Sequence, residues 1–336
     1  MKTSGEKVRA AVIGVGYLGK YHAEKYAKIS EVELVGLVDS REDRAREWAE
    51  KLGTRAYTDY RDLLGKVDAV SVVVPTDQHF SVARAFLDAG SDVLIEKPIT
   101  QTLRDAEELI ATARSFRRVL QVGHLERFNP AFLAVRERIR APLFLEVHRL
   151  TPFRGRGMEV DVILDLMIHD LDIILSFVRS EACRIQALGI PVLTENVDIA
   201  NARVEFDGGC VANITASRVS GQDIRKLRVF QPESFVTVDF AAKKALFYKR
   251  SLNPATGRID IEAKPVPAEA GDALEMEIRS FIHCSQRRAA PLVSGEDGKR
   301  ALALALKISA EIRKGLEKIP SIRSFYERRQ DLRDPA

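Results

Sequence analysis

The first third of the chain alternates between short, almost wholly apolar runs and longer segments with helical spacing. RAAVIGV, VELVGLVD, AVSVVVP, VLIE and VLQVG have the length of strands, the last ending at Gly123. Between them lie YHAEKYAKI, EDRAREWAEKLG, HFSVARAFLDAG and RDAEELIATARSF, whose apolar residues recur at helical intervals. Nearly continuous apolar strands separated by helices imply a parallel sheet covered on both faces. The fold class expected is α/β, with a doubly wound domain over residues 1–124.

Beyond Gly123 the period changes. A helical segment, PAFLAVRERI, leads into LFLEVHRL, and a second apolar helix precedes a strand-rich stretch. In NARVEF, Ala202, Val204 and Phe206 alternate with Asn201, Arg203 and Glu205, and VANITASRV, KLRVF, SFVTVDF and KALFYK read the same way. Alternation of period two predicts an open, mainly antiparallel sheet with one apolar face. Two helices, around ALEMEIRSFIHCS and GKRALALALKISAEIRKGLEKI, close the chain. Residues 125–320 are therefore expected to form an α+β domain whose apolar sheet face suits self-association, followed by a polar tail at 321–336.

Composition narrows the function classes. A chain of 336 residues that is 46% hydrophobic can build two cores without disulfides or metals. Its net charge of +4 is interleaved, whereas a nucleic-acid binder concentrates basic residues in a stripe. No apolar stretch nears the ~18 residues of a membrane span, and MKTSGEKVRA lacks the apolar centre of a signal peptide. The three cysteines, Cys183, Cys210 and Cys284, have no metal-ligand or redox spacing, and the histidines form no ligand cluster. A cytoplasmic protein with reduced thiols and no metal is expected.

The first strand ends in GVGYLG. Gly14, Gly16 and Gly19 match G-x-G-x-x-G between a strand and a helix. Gly14 suits the tight turn, Gly16 a close approach of backbone to pyrophosphate, and Gly19 close packing of the helix; the amides of Tyr17 and Leu18 face the phosphates. The second strand ends in Asp39, twenty residues past Gly19, where an acid accepts from ribose hydroxyls. This is the Rossmann dinucleotide fingerprint. Asp39 repels a 2′-phosphate, so NAD is expected over NADP, although Arg41, after Ser40, blurs that preference. Pro75, Thr76 and His79 follow the next strand, at the carboxyl edge where ligands bind; His79 also reads as an ordinary residue of a helix start.

VLIE opens onto the same edge. Glu96 and Lys97 then lie beside the nicotinamide, and Pro98 restricts Lys97 to an extended backbone. A lysine desolvated in a crevice takes part in proton transfer. In ILDLMIHDLDIILSFV, Asp165, His169, Asp172 and Ser176 share one stripe of an α-helix that is otherwise apolar all round. Asp165 is placed to orient His169 for acid–base work; the alternatives are a satisfied core histidine and a helix N-cap.

Together GVGYLGKYH, Asp39, VVVPTDQH, the EKP at 96–98 and DxxxHxxD at 165–172 resemble the Gfo/Idh/MocA family of NAD(P)-dependent sugar and cyclitol oxidoreductases. The resemblance spans both domains. It implies that Lys97, Asp165 and His169 line an active site, that the Lys97–Pro98 bond is open to the cis form, and that the second sheet carries specificity and an oligomer interface, in a dimer or tetramer. The chain departs at Met167, where many members have glycine. GHLERFNPAF, RLTPFRGRG and VILDLMIHDLDIIL further resemble the branch that oxidises UDP-N-acetylhexosamines. Arg127, Arg154 and Arg156 suit a diphosphate, as guanidinium forks do, while Asn129 and Asp172 suit the sugar; ordinary surface solvation is the alternative for the arginines.

The expected activity is NAD-dependent oxidation of a sugar secondary alcohol, at C3 of a UDP-N-acetylhexosamine. His169 takes the hydroxyl proton, Lys97 stabilises charge on the same oxygen, and Asp165 sets the imidazole tautomer. Two rivals stand beside it: a dehydrogenase of a free sugar or cyclitol, and a non-catalytic NAD-binding sensor.

Overall fold

The structure is a computed structural model that describes residues 6–155, 160–254 and 257–319. The chain forms two compact units. One takes the residues up to Pro130 together with Ala270–Leu302; the other takes Ala131–Glu269 and the chain from Ala303 onward.

The first unit is built on six parallel strands: β1 (Val8–Ile13), β2 (Val32–Val38), β3 (Arg55–Tyr57), β4 (Ala69–Val72), β5 (Asp92–Glu96) and β6 (Leu120–Gly123). Their spatial order is β3-β2-β1-β4-β5-β6. The order reverses between β1 and β4, and in such sheets ligands bind at the carboxyl ends beside that switch. The covering helices are α1 (Gly19–Lys28), α2 (Glu42–Leu52), α3 (Thr76–Asp88) and α4 (Leu103–Ser115). Their ends carry local signals. Thr102 Oγ1 accepts from Asp105 N to cap α4, and Gly53 ends α2 at φ +67°.

The stretch 270–302, expected in the second domain, belongs to the first unit. Its helix α7 (Ala273–Arg287) contributes Ile278, Phe281 and Ile282 to the cluster formed by Val8, Ala10, Val12, Tyr26 and Leu37. Fully buried Asp92 anchors it, accepting from Ser285 Oγ at 2.6 Å and Arg288 Nη1 at 2.7 Å. The β6 side chain Gln121 adds a bond from Nε2 to the Glu277 carbonyl at 3.2 Å. Apolar burial and a paired acid thus recruit a helix from far along the chain.

The second unit contains α5 (Pro130–Val135, bar its first residue), α6 (Ile168–Phe177) and a sheet of eight strands. The strands are β7 (Phe144–Leu150), β8 (Ala182–Ile190), β9 (Ile199–Phe206), β10 (Val211–Ser217), β11 (Ile224–Gln231), β12 (Ser234–Asp239), β13 (Lys244–Leu252) and β14 (Ile259–Val266). Their order is β14-β13-β12-β11-β7-β10-β9-β8. All neighbours are antiparallel except β7 and β10. The alternation read in NARVEF holds: Ala202, Val204 and Phe206 are buried and their neighbours are not. On the other face an aromatic ladder crosses four strands through Phe144, Phe230, Phe235 and Tyr248, the last pair stacked at 4.1 Å. The closing helix α8 (Gly295–Leu316) begins in the first unit and ends in the second.

Candidate functional site

In the first unit the strand register brings the dinucleotide motif to the carboxyl edge. Ile13 lies level with Val38 and Val72, Val72 with Ile95, and Glu96 with Gly123. The turn after β1 is closed around its glycines. Gly14 has φ +90°, and a Cβ there would lie 2.4 Å from the Val73 carbonyl oxygen. A Cβ on Gly19 would lie 1.7 Å from the Gly14 carbonyl oxygen, so α1 sits directly on the turn. Gly16 differs: a Cβ would meet Arg44 Nη1 alone, at 3.6 Å, so the space above it is open on the outer side. No side chain caps the start of α1, and Tyr17 and Leu18 beside it are exposed. An uncapped helix start of this kind receives phosphate oxygens.

Asp39 is buried at the end of β2. Its Oδ2 accepts from Val15 N at 3.1 Å and its Oδ1 from Arg41 N at 3.0 Å, which fixes the carboxylate at the strand end. Ser40 and Arg41 are exposed, and Arg41 turns away to pair with Asp43 at 2.6 Å. The arginine that meets Asp39 is Arg44, at 3.3 Å, a residue the sequence reading missed although it lies in the first turn of α2. These groups fit a dinucleotide: a glycine cradle with room for pyrophosphate and an acid for the ribose.

Pro75 and Thr76 open α3 at the same edge. His79 is buried and does not point outward. Its Nδ1 lies 2.8 Å from the Pro98 carbonyl oxygen and its Nε2 3.0 Å from that of Val74, so it braces two rims of the crevice. Burial pushes its pKa below the ordinary histidine value, against the carbonyl contacts that favour the charged form.

Glu96 ends β5 half-buried, and the Lys97–Pro98 peptide that follows is cis. Burial alone would raise the Glu96 pKa, but the hydrogen bond from His22, with the charge of Lys97, holds it below the usual carboxylate range. After β6, Arg127 and Asn129 are both buried. Arg127 Nη2 pairs with Asp297 at 3.3 Å, and Asn129 Nδ2 donates to Glu126 Oε2 at 3.0 Å.

In the second unit the helix carrying Asp165 and His169 departs from the expected form. Ile163–Met167 is a π-helical turn, and regular α-helix begins only at Ile168. Bonds in a π turn run from i to i+5, so Asp165 lies in a wider turn than His169, and the two do not share one regular α-helix as spacing suggests. The helix start is capped by Asp161, whose Oδ1 accepts from Leu164 N at 2.9 Å and whose Oδ2 accepts from Ser309 at 2.8 Å. Asp165 is therefore not the cap. Asp165 and His169 are half-buried, Asp172 is buried, and Ser176 turns back to the Ile173 carbonyl at 2.6 Å. Met167, at the position of the family glycine, is fully buried. Spacing also missed the ion pair that holds α6 to its sheet: Arg149 of β7 meets Asp170 with two bonds of 2.8 Å, both side chains buried. Arg154 is exposed and pairs with Asp223 at 2.8 Å, whereas Arg156 and the tail lie outside the described residues.

Comparison with known proteins decides the lineage. Residues 8–124 match the model described as an oxidoreductase family with an NAD-binding Rossmann fold, and residues 146–231 match that of the GFO/IDH/MocA C-terminal domain. The chain belongs to the Gfo/Idh/MocA oxidoreductase family. It is an NAD-binding enzyme. The UDP-N-acetylglucosamine 3-dehydrogenase of Acidithiobacillus ferrooxidans is 38% identical, over 93% of this chain and 99% of that protein. A solved structure of that enzyme matches with a TM-score of 0.85 over 91% of this chain and 98% of the other. The myo-inositol 2-dehydrogenase of Thermotoga maritima is 29% identical over 92% of this chain and 98% of its own. No helix among the described residues is long and apolar enough to cross a membrane.

Proposed function

We propose that the protein oxidises a secondary alcohol on a nucleotide-activated sugar, at C3 of a UDP-N-acetylhexosamine such as UDP-N-acetylglucosamine. The observation that carries this reading is the 38% identity to the Acidithiobacillus enzyme across almost the full length of both chains. NAD, when bound, accepts the hydride. Gly14, Gly16 and Gly19 with Asp39 would hold it, as their geometry suits pyrophosphate and ribose.

The chain's own residues provide the proton chemistry. His169 takes the hydroxyl proton of the substrate, Asp165 sets its tautomer, and Lys97 donates a hydrogen bond to the same oxygen as negative charge develops there. Among the arginines, Arg154 keeps an exposed guanidinium for a diphosphate. Arg127, enclosed against Asp297, serves as a strut instead. The half-buried aromatic ladder on the outer sheet face supports self-association as a homo-oligomer, in the cytoplasm.

The test is to mix the purified protein with NAD and a panel of sugars, and to follow absorbance of the reduced nicotinamide. UDP-N-acetylglucosamine is expected to react, and free N-acetylglucosamine and myo-inositol are not. Reaction with free sugars or cyclitols alone overturns the nucleotide-sugar assignment. Tight NAD binding with no turnover on any of them overturns the enzymatic reading itself.

A further inference from the structure

Four polar side chains of the first unit form a buried line from the core to the end of β5. Tyr26 Oη lies 2.8 Å from Ser71 Oγ, and Ser71 Oγ lies 3.2 Å from His22 Nδ1. His22 Nε2 lies 3.2 Å from Glu96 Oε1, and Glu96 Oε2 accepts from the Lys97 backbone N at 3.2 Å. Tyr26, Ser71 and His22 are at most 1% exposed. Leucine and alanine would fill the same space, so packing does not explain the choice of residues.

The hydrogen bonds have only one consistent direction. An ionised carboxylate only accepts, so His22 Nε2 carries a proton and donates to Glu96. In the neutral ring Nδ1 then accepts, and Ser71 supplies that proton. Ser71 Oγ in turn accepts from Tyr26, whose phenol keeps its proton because burial raises its pKa. Every group is satisfied with His22 neutral. An imidazolium would make both ring nitrogens donors, and one of the two hydroxyl protons, that of Ser71 or that of Tyr26, would then lack an acceptor in the line. The line ends at a fully enclosed tyrosine, so it is no route for protons to solvent. It is a fixed row of dipoles aimed at Glu96.

We propose that His22, with Ser71 and Tyr26 behind it, is a positioning residue that locks the Glu96 carboxylate in place and so orients and charges the surroundings of Lys97. Gly123 completes the seat, since a Cβ there would lie 3.1 Å from Glu96 Oε1. The titratable groups facing this carboxylate are His22 from α1, Lys97 next in sequence and His79 from α3; Glu277 of α7 acts on Tyr26. The link to turnover rests on the role proposed above for Lys97, whereas the state of the line itself does not.

The variants are His22→Leu, which removes the line, and His22→Gln, whose amide keeps a donor near the Nε2 position. Nitrogen NMR of the wild-type protein should show His22 protonated at Nε2 and bare at Nδ1 at neutral pH. Carboxyl-carbon NMR should show Glu96 titrating at higher pH in His22→Leu than in wild type, with His22→Gln close to wild type. In turnover, His22→Leu should lower kcat about tenfold with KM for NAD little changed, and move the acid limb of the kcat profile to higher pH. Ser71→Ala should shift both readouts the same way by less, and serves if His22→Leu does not fold. A His22 protonated at Nδ1, or a Glu96 titration indifferent to Ser71→Ala and to His22→Leu, overturns the proposal. A moved Glu96 titration with an unmoved pH profile overturns the link to Lys97. If no substrate turns over in wild type, the proposed function fails, and the two NMR measurements still decide the line.

Discussion

Gly16 and Gly19 belong to one motif, yet alanine at each should fail in a different way. At Gly19 the new methyl carbon would lie 1.7 Å from the Gly14 carbonyl oxygen. That atom is backbone, in a turn itself pressed against Val73, so α1 and the turn must separate by more than ~1 Å. Overpacking of this kind costs about 1–3 kcal/mol or more. At Gly16 the methyl meets only the end of Arg44 at 3.6 Å, and φ there is outside the left-handed region. Alanine should then leave the unliganded protein as stable as wild type, or more stable by up to ~1 kcal/mol through the unfolded chain. What it would fill is the space that we assign to pyrophosphate. NAD at a hundred times Kd stabilises a fold by about 2.7 kcal/mol, and each kcal/mol moves Tm by about 2–4 °C in a unit of this size. Thermal unfolding with and without NAD should therefore show a rise of roughly 5–10 °C in wild type. Gly16→Ala should keep the unliganded Tm and lose the rise, whereas Gly19→Ala should lower the unliganded Tm and lose the rise as well. A Gly16→Ala protein that still gains the full shift, or a Gly19→Ala protein with an unchanged Tm, would refute the assignment of these two spaces.

Three further outcomes follow from the same geometry. Asp39→Asn removes the charge that repels a 2′-phosphate while Arg41 and Arg44 stay nearby, so the ratio of kcat/KM for NADP to that for NAD should rise by about tenfold or more; an unchanged ratio in steady-state kinetics speaks against Asp39 as the discriminator. Replacing Arg149 by Met, or Asp170 by Leu, strands a buried charge and should cost about 3–5 kcal/mol in urea unfolding, whereas the double variant should recover most of that loss; additive losses would show that the pair is not coupled. His79 has a depressed pKa in the fold, so as pH falls below its ordinary 6.5 the unfolded chain takes up a proton that the folded one refuses, and stability drops. Glu96, also depressed, adds stability above its ordinary 4.5 that is lost as pH falls further, so Tm should begin to fall near pH 6.5 and the fall near pH 6 should be shallower in His79→Gln; equal slopes would remove His79 from the account.

What was legible in the sequence was what depends on neighbours along the chain. The parallel sheet, the glycine turn and the alternating strands β9 to β13 all stand where period and spacing put them. The strands that escaped notice lack a period to read. β3 has three residues, β8 is interrupted by an irregularity between Ala182 and Arg184, and β14 is an edge strand exposed along nearly its whole length. The π-helical turn at Ile163–Met167 was equally invisible, because the residues of ILDLM suit an α-helix and only the tertiary setting widens the turn. The return of α7 to the first unit could not be read either, since Asp92 and Ser285 meet across almost two hundred positions.

The polar residues of the candidate site divide along the same line. Lys97 stood out because a charge follows a buried strand and precedes a proline. Asp39 stood out by its distance from the glycines. His22 lies between the glycines and Asp39 in the chain and was quoted as part of a motif without a role. Its meaning depends on Ser71 and Glu96, 49 and 74 residues away, and appears only when the acceptors of each proton are counted. The same count turns His79 inward and pairs Arg127 with Asp297. Spacing identifies groups that ligands demand at fixed intervals. Hydrogen-bond accounting identifies the groups that hold those in place, because burial leaves each of their protons only one acceptor.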